Sequence, residues 1–331
     1  MLKKIIYISL MLAQSNLLCM ERWPRIPVVY HDGYNLKNPQ AFFAPREIYQ
    51  KLLASGLNGQ SLYEPTQICQ SDLKWTHEEV YIKTISNDRL INSAMNSAMY
   101  ATGGTILACR TAPKYGWAIN LGGGFNLALP DQSVGECLIS DVSMAIHSVW
   151  NDNPYTTPQI LVIDLSARQN TSYVEIFQNR FYPQENKIHQ LNVNLKLFQM
   201  YDPNKFTSDD ETLNDLITFN IPLNKEITGQ EYLDKLNKFL VEALEKLKED
   251  NYLTGSFYPE LIIYVAGTDL LDVMPNIHEE DIIKRDALIF SLSEKYKIPV
   301  AMVLGSCTTQ KNSDVASRSI LNILKLKKVL E

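Results

Sequence analysis

Ile163-Asp164-Leu165-Ser166-Ala167-Arg168-Gln169 is the stretch whose reading decides the fold. It closes the run Ile160–Leu165, which is apolar at every position except Asp164. A run without alternation reads as a strand buried on both faces, as in a parallel sheet. Runs of the same kind occur at Ile26–Tyr30, Trp117–Leu121, Leu261–Val265 and Val300–Leu304. Helical patterns lie between them. Thr228-Gly229-Gln230-Glu231 has the spacing of a capping box, and the helix it opens puts Leu233, Leu236, Leu240, Leu244 and Leu247 on one face. Glu279–Lys295 and Asp314–Leu326 read as further covering helices, Asn151–Pro158 as a loop and Asp202–Leu213 as a surface stretch. Such alternation implies an α/β fold of three layers, a central, mainly parallel sheet flanked by helices. Ligand sites in these folds lie at the carboxyl ends of the strands. Asp164–Arg168, Asp269 and Gly305–Thr309 each follow a strand run, so they are expected to converge there.

The rest of the chain sets the outer limits. Its 331 residues, 45% apolar and 21% charged, suffice for a sizeable core. A net charge of −6 gives no footprint for nucleic acid; an acidic surface favours basic partners. Met1-Leu2-Lys3-Lys4, the apolar run Ile5–Leu12 and Ala13-Gln14-Ser15 read together as a secretory signal peptide over residues 1–20. The run is short for a transmembrane helix, so no stable membrane span is expected after cleavage. One domain over 21–331 follows it. If the signal is used the protein is exported, secreted or periplasmic; otherwise it is cytoplasmic. Cys69, Cys109, Cys137 and Cys307 contain no Cys-x-x-Cys pair and are expected to be buried thiols. The five histidines have no chelating spacing.

The quoted stretch resembles the metal-binding strand end of the zinc-dependent histone deacetylases, which reads Asp-Leu-Asp-Ala-His or a close variant. Gly103-Gly104-Thr105 and then Gly116-Trp117-Ala118-Ile119-Asn120-Leu121-Gly122-Gly123-Gly124-Phe125 resemble the family's glycine-rich loop, most closely in class IV. Gly135-Glu136-Cys137 and Asp141 fall where that class has Gly-Phe-Cys and Asp. Tyr264-Val265-Ala266-Gly267-Thr268-Asp269 and Lys284-Arg285-Asp286 match further motifs. The resemblance implies the arginase/deacetylase fold. It also implies that the two zinc-ligand places after Asp164 carry Ser166 and Arg168, with only Asp269 kept. Asn126 and Leu127 stand where the family has its two catalytic histidines. Thr309, in Gly305-Ser306-Cys307-Thr308-Thr309, stands near the carbonyl-polarising tyrosine.

The family reaction needs a zinc-bound water, a base and an oxyanion donor. Serine is a poor zinc ligand, and a guanidinium has no lone pair to offer. The resemblance therefore implies a histone-deacetylase-like protein that is catalytically inactive, has no cofactor, and acts by binding an unknown protein or small ligand. Two readings of Arg168 stand side by side: that it folds into the vacated site and pairs with Asp269 and Asp164, which is preferred, or that it points to solvent. Gly135 matches a position whose carbonyl meets the substrate amine, and Glu136, in place of a tunnel-wall Phe, is expected to swing into water. Two alternatives keep chemistry. Cys307 is a candidate nucleophile with His77 as its base, and a divergent hydrolase using zinc or another metal could deacylate acyl-lysine or a small amide.

Overall fold

The computed structural model describes residues 27–35, 45–57, 62–88, 91–125, 127–135, 137–155, 157–170, 172–177, 194–204, 219–250, 258–305 and 309–326. The signal-peptide reading of residues 1–20 lies outside them. Eight described strands form one sheet: β1 (Val28–Val29), β2 (Leu62–Tyr63), β3 (Trp117–Asn120), β4 (Ile160–Asp164), β5 (Leu195–Tyr201), β6 (Phe219–Pro222), β7 (Leu261–Val265) and β8 (Val300–Val303). Their order is β2-β1-β3-β8-β7-β4-β5-β6, and every pairing is parallel. β4, with Asp164 at its carboxyl end, sits between β7 and β5, in register from Ile160 opposite Leu261 to Asp164 opposite Val265.

The helices named here are α1 (Pro45–Ala54), α2 (Glu79–Asn87), α3 (Ile91–Tyr115), α4 (Asp141–Asp152), α5 (Ser172–Ile176), α6 (Gly229–Asp250), α7 (Leu270–Val273), α8 (Glu279–Tyr296) and α9 (Gln310–Leu326). Successive strand residues point to opposite faces, and two cores follow. Leu161, Ile163, Ile262, Tyr264, Val300 and Met302 pack under Leu236 and Leu240 of α6, Ile282 of α8 and Ile320 of α9. On the other face Val162, Ile263, Val265 and Ala301 pack under Ile106 of α3 and Val142 and Ile146 of α4. The expected layered α/β architecture is present, and among the described residues no helix is long and apolar enough to cross a membrane.

The expected capping box is formed. Glu231 N–H donates to Thr228 Oγ1 at 3.3 Å, and Thr228 N–H donates to a Glu231 carboxylate oxygen at 3.0 Å. The five leucines of that helix are buried.

Several expectations need correction. Gly103-Gly104-Thr105 is not loop but the middle of α3. A Cβ at Gly103 would lie 2.0 Å from the Thr66 carbonyl oxygen, and one at Gly104 2.0 Å from the Tyr34 hydroxyl. These glycines serve close packing rather than a turn. The last helix starts at Gln310, four residues earlier than expected, because Thr309 Oγ1 accepts the Asn312 N–H (3.2 Å) as its N-cap. Asp202, expected on the surface, is buried, with its N–H donating to the Ala167 carbonyl; residues 205–213 of that stretch lie outside the described residues. Cys109 is buried as expected, but Cys137 is half-buried and Cys69 is exposed.

Candidate functional site

The sheet brings four loops to one place. β4 ends at Asp164, whose Oδ1 accepts the N–H of Ser166 at 3.0 Å. This short-range bond from a side chain to the backbone two residues on turns the chain across the strand end. Asp164 Oδ2 accepts the Tyr173 hydroxyl (3.2 Å) and the Asn170 amide (3.4 Å). Asn170 is itself held from β5, where Gln199 Oε1 accepts its N–H at 3.0 Å and Gln199 Nε2 donates to its carbonyl. Asp164 therefore works as the organiser of this loop.

β7 delivers the second loop, Ala266-Gly267-Thr268-Asp269. Asp269 Oδ1 accepts the Ala167 N–H at 3.0 Å and ties the two loops together. Arg285 of α8 holds them from beneath. It is fully buried; Nη1 donates to the Gly267 carbonyl at 2.7 Å, and Nε donates to Asp286 Oδ1 at 2.8 Å. Asp286 also accepts the hydroxyls of Tyr264 and Ser319.

The third and fourth loops close over these. A Cβ on Gly305, after β8, would sit 3.2 Å from Gly267 N, and a Cβ on Gly124 would sit 2.3 Å from Gly305 N. Both glycines have positive φ (+60° and +81°), so a side chain at either is strained by conformation, and at Gly124 it is also blocked by the Gly305 backbone. The Gly122–Gly124 loop is fixed by a buried polar chain. Tyr34 Oη donates to Asn120 Oδ1 (2.9 Å), Asn120 Nδ2 donates to Thr105 Oγ1 (3.1 Å), and the Thr105 hydroxyl and the Gly124 N–H (2.8 Å) both reach Asp141 Oδ2.

Ser166 and Asp269 converge over the floor of the site. From the point where a Gly267 Cβ would stand, Ser166 Oγ is 2.7 Å away and Asp269 Oδ1 2.9 Å. The Ser166 hydroxyl is buried and has no hydrogen-bond partner among the described residues. Burial, with Asp164 close by, pushes the Asp269 carboxyl up to about 6 against the pull of the Ala167 N–H and Arg285. Burial likewise pushes Asp141 up to about 6, opposed by its donors from Thr105 and Gly124.

Asp164, Ser166, Asp269 and the Gly305 turn thus meet as the sequence implied. Arg168 does not join them. It is exposed, and among the described residues it forms no ion pair with Asp269 or Asp164. The expected pairing is overturned: Asp164 draws in the Ser166 N–H and Asp269 the Ala167 N–H, and the Arg168 side chain that follows faces out. The buried cation is Arg285, from a motif that the sequence flagged without a role. Leu127 is half-buried, and Gly135 is exposed in an open turn at φ +58°. Thr309 caps α9. Asn126, Glu136 and Cys307 lie outside the described residues. His77 is a buried cross-link: its Nε2 accepts the Ser140 N–H (3.1 Å), which leaves Nδ1–H to donate to the Leu129 carbonyl (2.9 Å). That geometry removes it as a base for Cys307. Asn170, Gln199, Tyr173 and Tyr34 were not read from sequence; the only signal was Gln199, polar between Phe198 and Met200 in β5. Among the described residues, no group of three or more His, Cys, Asp or Glu side chains is placed to hold a metal ion.

An eight-stranded parallel sheet covered by helices on both faces, with its candidate site built from strand-end loops, defines a three-layer α/β protein. The histone deacetylase domain matches residues 45–306, and the chain belongs to that family. It is 27% identical over 289 residues to histone deacetylase 2 of Arabidopsis thaliana, covering 81% of this chain and 68% of the relative. An uncharacterized protein of Picosynechococcus sp. is 24% identical over 316 residues, covering 89% and 96%. The crystal structure of an HDAC homolog complexed with SAHA shares the fold, with a TM-score of 0.68 at 18% identity over 93% of this chain and 85% of that one.

Proposed function

We propose that this chain is a histone-deacetylase-fold protein that has given up the family's zinc chemistry and acts by binding. The observation that carries the reading is the strand end after Asp164, where the places implied for an aspartate and a histidine ligand hold Ser166 and Arg168. The described residues there do not fit a zinc ion. Of the three implied ligand places, Ser166 offers a neutral hydroxyl, Arg168 is turned to solvent, and Asp269 alone keeps a carboxylate, with one oxygen engaged by Ala167; both oxygens of the neighbouring Asp164 accept hydrogen bonds from Ser166, Tyr173 and Asn170. Zinc in proteins is held by several thiolate, imidazole or carboxylate donors. Changing only the groups that hydrogen-bond to metal ligands typically costs about 10–100-fold in affinity or activity, and here the changes are in the donors themselves.

What remains is a set of hydrogen-bonded loops at the carboxyl ends of β4, β7 and β8 that carries the Asp164 and Asp269 carboxylates. The test is turnover of an acetyl-lysine peptide by the purified chain, with and without added zinc and with a chelator. No turnover under any condition is expected. Chelator-sensitive turnover would favour a divergent metal-dependent hydrolase and overturn the reading.

A further inference from the structure

The buried chain behind the glycine loop can be followed proton by proton. Asn120 Nδ2 gives its two N–H groups to the Ala101 carbonyl (3.2 Å) and to Thr105 Oγ1 (3.1 Å). Asn120 Oδ1 accepts the Tyr34 hydroxyl (2.9 Å) and the Gly122 N–H (3.1 Å). Thr105 has one hydroxyl proton and two acceptors in reach, the Ala101 carbonyl (3.2 Å) and Asp141 Oδ2, which also takes the Gly124 N–H (2.8 Å). With Asp141 neutral, its own O–H donates to Thr105 Oγ1, and Thr105 donates to Ala101. With Asp141 ionised, the chain is one proton short and a full charge is buried.

No counter-charge meets it. Asp141 is 0% exposed and forms no ion pair among the described residues. Cys109 of α3 and Tyr34, after β1, face it; burial pushes both up, so both are neutral. His77 is engaged by Ser140 and Leu129, and Arg110 of α3 is turned to Asp152. The N-terminus of α4 and the donors on Oδ2 favour the charge, and burial outweighs them. Water cannot reach the carboxylate while the loop is in place. A Cβ at Gly123 would lie 2.4 Å from Asp141 Oδ2 and 2.3 Å from Thr105 Oγ1, and one at Gly124 2.3 Å from Gly305 N, so the loop is packed closely on both sides.

We propose that Asp141 is a proton-controlled latch on the Gly122–Gly124 loop: protonated, it holds the loop shut between α4 and the Gly305 turn; ionised, it is hydrated by lifting of the loop. The closed form keeps the proton up to about pH 6, whereas an ordinary aspartate keeps it only to 3.8. Opening therefore becomes easier as pH rises through that window, by about a hundredfold in all, and levels off above it. The loop and the Gly305 turn are two of the four that build the site, so the shape of the site follows pH. The inference stands apart from the preceding reading, since none of these groups is at an implied zinc place.

The test is amide hydrogen exchange of the full chain from pH 4 to 7, corrected for the intrinsic pH dependence and read by mass spectrometry on a peptide spanning Gly122–Gly124. Most of the rise in opening is expected between pH 4 and 6.5, followed by a plateau. Asp141→Asn, which offers Thr105 an N–H as the neutral acid offers an O–H, should stay at the low value throughout. Sub-denaturing urea separates local opening from global unfolding, because a local opening exposes little surface and responds weakly to it. A loop without the rise, a rise that persists in Asp141→Asn, or a loop that follows β4 in its urea response would each overturn the proposal. If Asp141→Asn gives no cooperative thermal transition, the pH and urea responses of the unaltered chain decide.

Discussion

Arg285→Met removes the charge that holds the site together while keeping most of the side-chain volume. In the native fold Arg285 is 0% exposed and Asp286 1%. The guanidinium gives one hydrogen bond to Asp286 and one to the Gly267 carbonyl. Burial works against its charge, but the Asp286 carboxylate beside it more than compensates, so it stays cationic. Substitution leaves Asp286 with hydroxyl donors from Tyr264 and Ser319 and no counter-charge. Breaking a buried pair from one side costs about 3–5 kcal/mol. The Gly267 carbonyl also loses its donor, a further penalty of about 1 kcal/mol or more. Urea unfolding followed by tryptophan fluorescence measures the loss as a lower midpoint at unchanged slope. The double variant Arg285→Met/Asp286→Asn should recover part of it, because removing both charges is far less costly than removing one. A single-variant loss below about 1 kcal/mol, or a double variant as unstable as the single, would refute the claim that this pair clamps the two loops.

Three other outcomes follow from the same contacts. Gly103→Ala, which would gain about 1 kcal/mol in an open helix, should instead destabilise by about 1–3 kcal/mol because its methyl meets the Thr66 carbonyl; thermal melts decide the sign. Asp141 holds its proton in the folded state up to about pH 6, against 3.8 for an ordinary aspartate. Its contribution to stability is therefore full below the lower value and is lost as pH rises through the higher one. Asp141→Asn should flatten the fall in stability over that window, and an unchanged pH profile would contradict it. Thr228→Ala should cost α6 about 1 kcal/mol through loss of its N-cap, seen as a lower urea midpoint.

The sheet was legible because β1, β3, β4, β7 and β8 are buried on both faces and lie in runs that are apolar at nearly every position. β2, β5 and β6 were not. β2 is two residues long. β5 carries Lys196 and Gln199 in its run, and Gln199 is polar because its amide grips the Asn170 backbone beneath the site. Motif register placed Ser166 and Asp269 together correctly, since strand ends in a parallel sheet fall on one edge. It could not give the direction of Arg168, which is set by how Asp164 and Asp269 capture the N–H groups of Ser166 and Ala167. The true buried cation comes from a helix more than a hundred residues later. Its approach depends on α8 packing under β7, a tertiary relation with no local signal.

The central claim, a deacetylase fold without deacetylase metal chemistry, is tested most directly by the zinc content of the purified chain. Elemental analysis after dialysis against zinc-containing buffer and removal of loosely bound ion should find well under one zinc per chain. Stoichiometric zinc that survives this treatment would contradict the account and would require a ligand set beyond Ser166, Arg168 and Asp269.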